Sequence, residues 1–302
     1  MRSWNPRSLV VALSLGLLPG LAPAQGRVQL QYRHFDSAGV TIRYVDLGSG
    51  DPVFLLHGNG GSLENWVRNG FVQSLMPNFR VIAADARGNG QSGKPHQAKA
   101  YGLQLSLDVL RLMNHLGIAK ADVVGYSMGA QTAAHLMVIA PKRLVAVVLG
   151  GAPGRYYWTE KDIREVDLHA AQRERDCVSR GMLNARRALG TAPISNAAFK
   201  RREAACFANK SQDRVALAAL SRGQSTQLIT RTQACAVSVP TLGVVGSLDG
   251  YLPYFRELES CRRNMQVVVI KGASHGSAFR SPEFFAATRA FLMAHRFTVA
   301  KR

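Results

Sequence analysis

Short apolar runs alternate with amphipathic stretches along most of this chain. Runs of this length, rich in Val and Leu, are typical of strands that a parallel sheet buries on both faces. The first two runs read instead as an opening antiparallel pair. The predicted strands are 28–32, 40–46, 53–56, 81–84, 122–126, 144–149, 241–245 and 266–270. The helix predicted over 103–116 has one leucine stripe, formed by Leu103, Leu107, Leu110 and Leu116. The pattern predicts an α/β fold with a mostly parallel eight-stranded sheet flanked by helices.

One long stretch interrupts this alternation. Residues 154–236 contain no clear strand pattern, and their composition turns to Arg, Ala, Glu and Gln with helical spacing. A second independent domain is one interpretation. An insertion between two core strands reads better as a helical cap that follows the sixth strand. We therefore predict a core in two parts, 25–153 and 237–302, with the cap at 154–236.

The first 24 residues have the organisation of a secretory signal peptide. Arg2 and Arg7 form a positive region, residues 9–18 are apolar, and an Ala-Pro-Ala sequence ends at Ala24. The apolar run is about half the ~20 residues that span a bilayer. An uncleaved anchor and a buried helix are the alternatives. We expect cleavage near Ala24 and a periplasmic or secreted protein without stable membrane insertion.

The four cysteines fit an oxidising compartment better than a metal site. None lies in a CxxC pair, and disulfides persist in exported proteins. Cys235 and Cys261 each precede an apolar run, so two neighbouring parallel strands would bring them to one sheet edge. We predict the pairs Cys235–Cys261 and Cys177–Cys206. Four free thiols are the alternative.

The net charge is strongly positive. Lys and Arg number 38 against 19 Asp and Glu, but the basic residues are scattered rather than gathered in one block. Scattered charge is a weak indication of nucleic-acid binding, so we expect a small-molecule substrate and no nucleic-acid partner. Weak, salt-sensitive attachment to an anionic envelope is the interaction that this charge would support.

The sequence Gly-Tyr-Ser-Met-Gly, residues 125–129, joins a predicted strand to a predicted helix. Glycines two residues either side of Ser127 allow the sharp turn that lifts a serine hydroxyl above a sheet edge. A G-x-S-x-G pattern by itself occurs by chance. Its position between a strand and a helix makes Ser127 the candidate nucleophile.

A second glycine-rich turn, His-Gly-Asn-Gly-Gly at 57–61, follows the third predicted strand. Such a turn lets backbone N–H groups point into a site, where acyl transfer needs donors for a developing oxyanion. The predicted donors are the N–H groups of Asn59 and Met128. A phosphate cradle is the competing interpretation, but neither GxxxxGK[ST] nor GxGxxG is present. We expect His57 to be structural because it lies on the oxyanion side.

An acid and a base follow the last two predicted strands. Asp249 comes after 241–245, and His275 comes after 266–270. Both lie at carboxyl ends of parallel strands, where open α/β sheets place their sites. The chain order Ser127, Asp249, His275 is one of the known orders of a nucleophile–acid–base triad.

Together these motifs resemble the α/β-hydrolase superfamily, in the branch with a helical cap. The resemblance spans nearly the whole chain after residue 24 and includes Asp-Ala-Arg-Gly-Asn-Gly-Gln-Ser at 85–92, which matches the D-x-R-G-x-G-x-S stretch of that branch. It implies Ser127 as nucleophile, His275 as base and then acid, and Asp249 as the group that orients the imidazole. It implies structural roles for Asp85 and Arg87.

The serine narrows the expected chemistry. Haloalkane dehalogenases and epoxide hydrolases of this superfamily carry Asp as nucleophile, whereas serine adds to a carbonyl carbon. We expect an exported carboxylesterase-like enzyme that acts on an ester or lactone of a small to medium apolar or aromatic substrate. Hydrolysis of a C–C bond or an amide, haloperoxidase or perhydrolase activity, and non-catalytic ligand binding are the alternatives.

Five aromatic residues lie near the predicted site in the sequence. Trp66 follows the glycine-rich turn, Phe279 follows His275, and Tyr156, Tyr157 and Trp158 open the cap. They are candidates for an apolar substrate pocket, and packing between core and cap is the alternative. No sequence pattern indicates a metal or a cofactor, so we expect neither.

Overall fold

The computed structural model of this chain describes residues 30–154, 160–185 and 193–297. These residues form one eight-stranded sheet in the order β1-β2-β4-β3-β5-β6-β7-β8. The strands are β1 (Arg33–Asp36), β2 (Thr41–Gly48), β3 (Asp51–Leu56), β4 (Phe79–Ala84), β5 (Ala121–Tyr126), β6 (Leu144–Gly150), β7 (Thr241–Gly246) and β8 (Met265–Ile270). Strand β2 runs antiparallel to both of its neighbours, and β3 to β8 are parallel. The predicted sheet and its opening antiparallel pair are confirmed.

The opening hairpin corrects the position predicted for the first strand. Its loop consists of Ala38 and Gly39, whose φ angles of 54° and 80° are both positive. The N–H of Ser37 bonds to the C=O of Val40 and the reverse, which closes a two-residue type I′ turn. This turn sets β1 directly opposite β2, with Asp36 opposite Thr41. The strand therefore lies at Arg33–Asp36 and does not include residues 30–32 of the predicted strand, whose residues 28–29 lie outside the described residues.

Twelve α-helices occur in the described residues. They are α1 (Glu64–Arg68), α2 (Phe71–Leu75), α3 (Leu103–His115), α4 (Met128–Ile139), α5 (Glu160–Asp176), α6 (Arg180–Ala185), α7 (Asn196–Ala208), α8 (Arg214–Gly223), α9 (Arg231–Ala236), α10 (Leu252–Cys261), α11 (His275–Ala278) and α12 (Pro282–Ala294). Ser281 caps α12 by accepting from the N–H of Phe284. Pro282 occupies the first turn, where N–H groups have no partner within the helix, so the missing N–H of proline costs no hydrogen bond.

The core lies on both faces of the sheet because side chains alternate along each strand. Phe54 of β3 packs on the face covered by α3, α4 and α10. Its neighbours Val53 and Leu55 pack on the opposite face, which is covered by α1, α2 and α12. Covering both faces buries the parallel strands and leaves their carboxyl ends free to carry a site.

Helix α3 buries a different face from the predicted leucine stripe. Leu105, Val109 and Leu112 are buried, whereas Leu103 is exposed and Leu107 is only partly buried. The buried face also carries Asp108, whose carboxylate accepts two hydrogen bonds from the guanidinium of Arg87. Leu110 and Leu116 of the predicted stripe do pack against the core, so the stripe is right in part. It missed the buried face because a polar residue with a buried partner made that face look solvent-exposed in the sequence.

Helices α5 to α9 lie between β6 and β7, and they are called the cap below. Helix α8 packs along α5, and Gln212, which precedes α8, donates to the core at the C=O of Gly60. The helical character predicted for this insertion agrees with these helices. The domain limits at residues 154 and 236 stay a prediction.

The structure brings the four cysteines to disulfide distance in the predicted pairs. The Cα–Cα distance is 5.9 Å between Cys177 and Cys206 and 5.4 Å between Cys235 and Cys261. The first pair lies within the cap and joins the end of α5 to α7. The second pair joins α9 to α10, so it ties the end of the cap to the core.

A search of the described residues for a membrane-spanning helix found none with the required length and apolar character.

One buried carboxyl has no charged partner among the described residues to offset its desolvation. Asp122 on β5 is fully buried, and its Oδ1 accepts from the N–H of Ala146 at 3.1 Å. Its Oδ2 has no partner in the part of the chain that the structure describes. Burial raises the pKa of Asp122 from 3.8 to about 8, with a further increase from the carboxylate of Asp51. The folded protein therefore holds a proton that the unfolded chain releases.

We expect the Asp122 carboxyl to lower the free energy of unfolding as pH rises between about pH 4 and pH 8, because the folded state binds its extra proton in this window. The variant Asp122→Asn lacks this proton, so its free energy of unfolding should increase relative to that of the wild type as pH rises through this window. Urea unfolding at several pH values measures the slope. Asp36→Asn, which alters an exposed carboxylate, is the control, and equal slopes in wild type and Asp122→Asn would contradict the prediction.

Candidate active site

Ser127 lies at a sharp turn between β5 and α4. Its φ of 55° and ψ of −113° fall outside the regions that a non-glycine residue ordinarily adopts. Two glycines make the turn possible, since a Cβ on Gly125 would collide with the C=O of Gly129, and a Cβ on Gly129 would collide with the C=O of Leu56. The N–H of Ser127 donates to the C=O of Gly150 at 2.8 Å. The strained serine is thus fixed to the adjacent strand.

The structure brings the three predicted triad residues together. The Oγ of Ser127 lies 3.0 Å from Nε2 of His275, and Nδ1 of His275 lies 2.8 Å from Oδ2 of Asp249. Asp249 is buried, and its Oδ1 accepts from the N–H of Tyr251 at 3.1 Å. The carboxylate fixes the proton on Nδ1, so Nε2 is free to accept the proton of the serine hydroxyl.

His275 is held by its backbone as well as by its ring. It begins α11 directly after Ser274, which forms a capping box with Ser277. The hydroxyl of Tyr126 donates to the C=O of His275 at 2.5 Å. Burial and the carboxylate of Asp249 raise the pKa of Tyr126, so the hydroxyl remains a donor.

Two backbone N–H groups border Ser127 at the predicted oxyanion position. Met128 is the first residue of α4, where N–H groups have no partner within the helix and carry the positive end of the dipole. Asn59 lies in the loop after β3, and a Cβ on Gly58 beside it would lie 3.4 Å from the Cβ of Ser127. Across the described ranges neither N–H has a hydrogen-bond partner. The arrangement can bind an oxygen that gains negative charge.

The peptide that carries the Asn59 N–H is fixed from its other side. Its carbonyl belongs to Gly58 and accepts from the N–H of Gly61 at 3.0 Å. Nδ1 of His57 lies 2.7 Å from the same oxygen, and Nε2 of His57 accepts from the N–H of Ala86. The proton of His57 is therefore on Nδ1, and burial lowers its pKa, which keeps the ring neutral. His57 orients this peptide and is not the base, in agreement with its expected structural role.

The segment 85–92 supports the same loop. Oδ1 of Asp85 accepts from the N–H of Leu63, and its Oδ2 accepts from Nε of Arg43 and the N–H of Gln91. Oδ1 of Asn89 accepts from the N–H of Gly60 at 2.9 Å. Sequence reasoning missed Asn89 and Tyr126 although both lie inside recognised motifs. Their positions within those motifs were the available signal.

Ser127 and His275 open into a cavity of about 240 Å³. Phe279 lines it as predicted, together with Tyr126, the glycine-rich loop and Arg280. The lining therefore contains both polar and apolar residues. The cavity therefore has room for a small acyl group beside the candidate oxyanion donors.

The pocket role predicted for Trp66 is wrong. Trp66 is fully buried, and its ring packs edge-on against Phe279 at a centroid distance of 4.8 Å. It also contacts Phe71 and Phe284 in the core. Position after the loop gave no information on side-chain direction, because the first turn of α1 rotates Trp66 inward. Tyr156, Tyr157 and Trp158 lie outside the described residues.

Within residues 30–154, 160–185 and 193–297, no three or more His, Cys, Asp or Glu side chains form a group that could hold a metal ion.

Comparison with known proteins defines the family. The profile of the alpha/beta hydrolase fold matches residues 51–282. A 2-hydroxy-6-oxo-6-(2'-aminophenyl)hexa-2,4-dienoic acid hydrolase of Metapseudomonas resinovorans is 30% identical over 280 residues, which cover 86% of this chain and 90% of that protein. With this match across most of the described fold, the chain belongs to the alpha/beta hydrolase family.

Two further proteins show how far the similarity extends. The dihydrolipoyllysine-residue acetyltransferase component of the acetoin cleaving system of Cupriavidus necator is 40% identical over 119 residues, 39% of this chain. The matched part is only 31% of that relative's length. The solved structure of MGS-M2, an alpha/beta hydrolase enzyme from a Medee basin deep-sea metagenome library, superposes with a TM-score of 0.72 at 21% identity, covering 89% of this chain and all of the other. The structural match supports the fold alone.

We expect Tyr126→Phe to lower kcat about fivefold, because losing a hydrogen bond worth about 1 kcal/mol loosens the backbone of His275. The measurement is kcat on an activated ester together with the melting temperature. Tyr101→Phe is a matched control, since the Tyr101 hydroxyl also donates to a backbone carbonyl at 2.5 Å, that of Pro95. Both variants should lose similar stability, and an equal loss of kcat in both would contradict a specific role for Tyr126.

Proposed function

We propose that this chain is an exported serine hydrolase that cleaves a carboxylic ester or lactone of a small to medium apolar or aromatic substrate. The observation that carries the proposal is the hydrogen-bonded series Ser127, His275 and Asp249 at the base of an open cavity. Serine with a histidine base adds to carbonyl carbons, which distinguishes it from the aspartate nucleophiles that form alkyl esters.

The proposed mechanism has two acyl-transfer steps. The Oγ of Ser127 attacks the ester carbonyl while Nε2 of His275 takes its proton, and Asp249 stabilises the resulting imidazolium. The carbonyl oxygen becomes an oxyanion between the N–H groups of Asn59 and Met128. His275 then gives the proton to the departing alcohol, which leaves an acyl group on Ser127. Water deprotonated by His275 attacks this acyl group and releases the acid.

Two kinds of evidence support export. The signal-peptide pattern at residues 1–24 lies outside the described residues, and it directs the chain to an oxidising compartment. The cysteine pairs at disulfide distance fit that compartment. Export also separates the protein from thioesters of coenzyme A and from intracellular ring-cleavage products, which favours an ester or lactone substrate.

We expect purified protein to hydrolyse short p-nitrophenyl esters and Ser127→Ala to lose about 10³-fold or more in kcat, since the nucleophile is removed. A fluorophosphonate probe should label the wild type at Ser127 with loss of fluoride. Ser74→Ala, at a partly buried position of α2 that does not line the cavity, is the control and should retain both properties. Inactivity across acyl lengths together with no labelling would refute the hydrolase proposal and favour a ligand-binding role.

Hydrolysis of a C–C bond is the second candidate. It is favoured by the M. resinovorans relative, whose named substrate is a keto-substituted dienoic acid and not an ester, and which matches this chain over most of both lengths. A vinylogous diketone also presents a carbonyl carbon to the same triad. Amide hydrolysis and perhydrolase activity would use the same residues.

The two candidates differ in a direct kinetic comparison. We expect kcat/KM for p-nitrophenyl butyrate to exceed that for 2-hydroxy-6-oxo-6-(2'-aminophenyl)hexa-2,4-dienoic acid by about tenfold or more, the scale of discrimination that pocket contacts supply. Absorbance changes report both reactions. Ser127→Ala subtracts the background for each substrate. The reverse preference would replace the ester proposal with C–C hydrolysis.

A further inference from the structure

Two cap side chains reach down to the glycine-rich loop beside Ser127. Nη1 of Arg173, in the last turn of α5, donates to Oδ1 of Asn59 at 3.2 Å. Nε2 of Gln212 donates to the C=O of Gly60 at 3.1 Å. The cap therefore contacts both Asn59, which carries the candidate oxyanion N–H, and the following residue, Gly60.

These contacts act on a backbone that has little rigidity of its own. Three of the four residues from Gly58 to Gly61 are glycine, and Gly60 adopts a φ of 75°. Glycine allows many alternative conformations, so the direction of an N–H in such a loop depends on its tethers. His57 holds one side of the Asn59 peptide, and Asn89 holds the N–H of Gly60. The cap contacts restrain the Asn59 side chain and the peptide between Gly60 and Gly61.

A disulfide joins the two cap segments that make these contacts. Cys177 follows the end of α5 four residues after Arg173, and Cys206 in α7 precedes Gln212 by six residues. Oε1 of Gln212 lies 3.2 Å from Sγ of Cys206, so the cross-link contacts one of the two donors directly. The guanidinium of Arg173 is itself buried, with the residue 9% exposed. The cross-link thus joins the two cap segments that carry the two donors.

We propose that Arg173 and Gln212 are positioning residues of the oxyanion hole and that the Cys177–Cys206 disulfide holds them over the loop. The inference rests on the proposed function, because it assigns the Asn59 N–H to the transition-state oxyanion. Donors that are already aligned before reaction stabilise this oxygen without reorganisation. Releasing the tethers leaves the triad complete and misaligns one donor.

The experiment separates misalignment from misfolding by counting active sites. Fluorophosphonate titration gives the concentration of reactive Ser127, and p-nitrophenyl acetate hydrolysis then gives kcat per titrated site and KM. The variants are Gln212→Met, which keeps side-chain length, and Arg173→Met, which keeps an unbranched apolar stem; both remove the donors. Gln172→Met is the matched control, because Gln172 is adjacent to Arg173 on α5 but accepts from Ser179 within the cap.

We expect Gln212→Met and Arg173→Met to lower kcat per site about tenfold, less than the loss for a missing donor, with KM changed less than about twofold. Gln172→Met should match the wild type. A purely structural role would lower the melting temperature and the number of titrated sites while kcat per site stayed constant. That result in both donor variants would overturn the proposal.

Removing each of the two disulfides in turn provides a second, matched comparison. The double variant Cys177→Ser with Cys206→Ser should show the same loss of kcat per site, whereas Cys235→Ser with Cys261→Ser should not. Equal effects of the two pairs, or none, would overturn the role of the cap disulfide. An unlabelled, inactive wild type would instead refute the proposed function, and this inference with it.

Discussion

The left-handed backbone at Ser127 is the constraint on which the rest of the site depends. A non-glycine residue in this conformation costs on the order of 1–3 kcal/mol, so the surroundings must over-determine it. They do so here because every residue of β5 is buried and the N–H of Ser127 bonds to Gly150 on the neighbouring strand. The turn then begins α4 at once. One strained residue thereby projects the hydroxyl and leaves the N–H of Met128 beside it.

The remaining groups reach the serine because parallel strands end at one sheet edge. Asp249 follows β7, His275 follows β8, and the glycine-rich loop follows β3, which is hydrogen-bonded to β5. Each strand is fixed by its neighbours, so short loops suffice to set the reacting atoms within hydrogen-bonding distance. The chemistry is therefore carried by the rigid core, and the cap supplies contacts from above.

The features that the sequence predicted correctly depend mainly on residues that are close together along the chain. The apolar runs gave the strands, and strand–turn–helix spacing gave the positions of Ser127, Asp249 and His275. The prediction missed the buried face of α3 because the buried pair of Asp108 and Arg87 makes that face look polar in the sequence. The pocket role predicted for Trp66 was wrong for a related reason, since sequence spacing does not give the direction of a side chain.

Long-range contacts account for what the sequence could not show. Arg173 meets Asn59 across 114 residues, and Gln212 meets Gly60 across 152. Neither donor lies in a motif, and the surrounding composition of the cap resembles a solvated helical surface. Such pairs are set by how the cap packs on the core. The pairing of the four cysteines was easier to predict, because four cysteines in an exported chain allow few possible pairs.

Buried charged residues lie beside the glycine-rich loop, and their role is to hold it in position. Asp85 is fully buried, and its oxygens accept from Arg43 and from the N–H groups of Leu63 and Gln91. Desolvation makes a buried ion pair a weak source of stability, and well-packed apolar residues often do as well. An apolar replacement here would leave two backbone N–H groups without an acceptor. The network is therefore better understood as fixing loop position: Asp85 ties the segment that carries Asn89 to the start of α1, and between them lies the loop with the candidate oxyanion N–H.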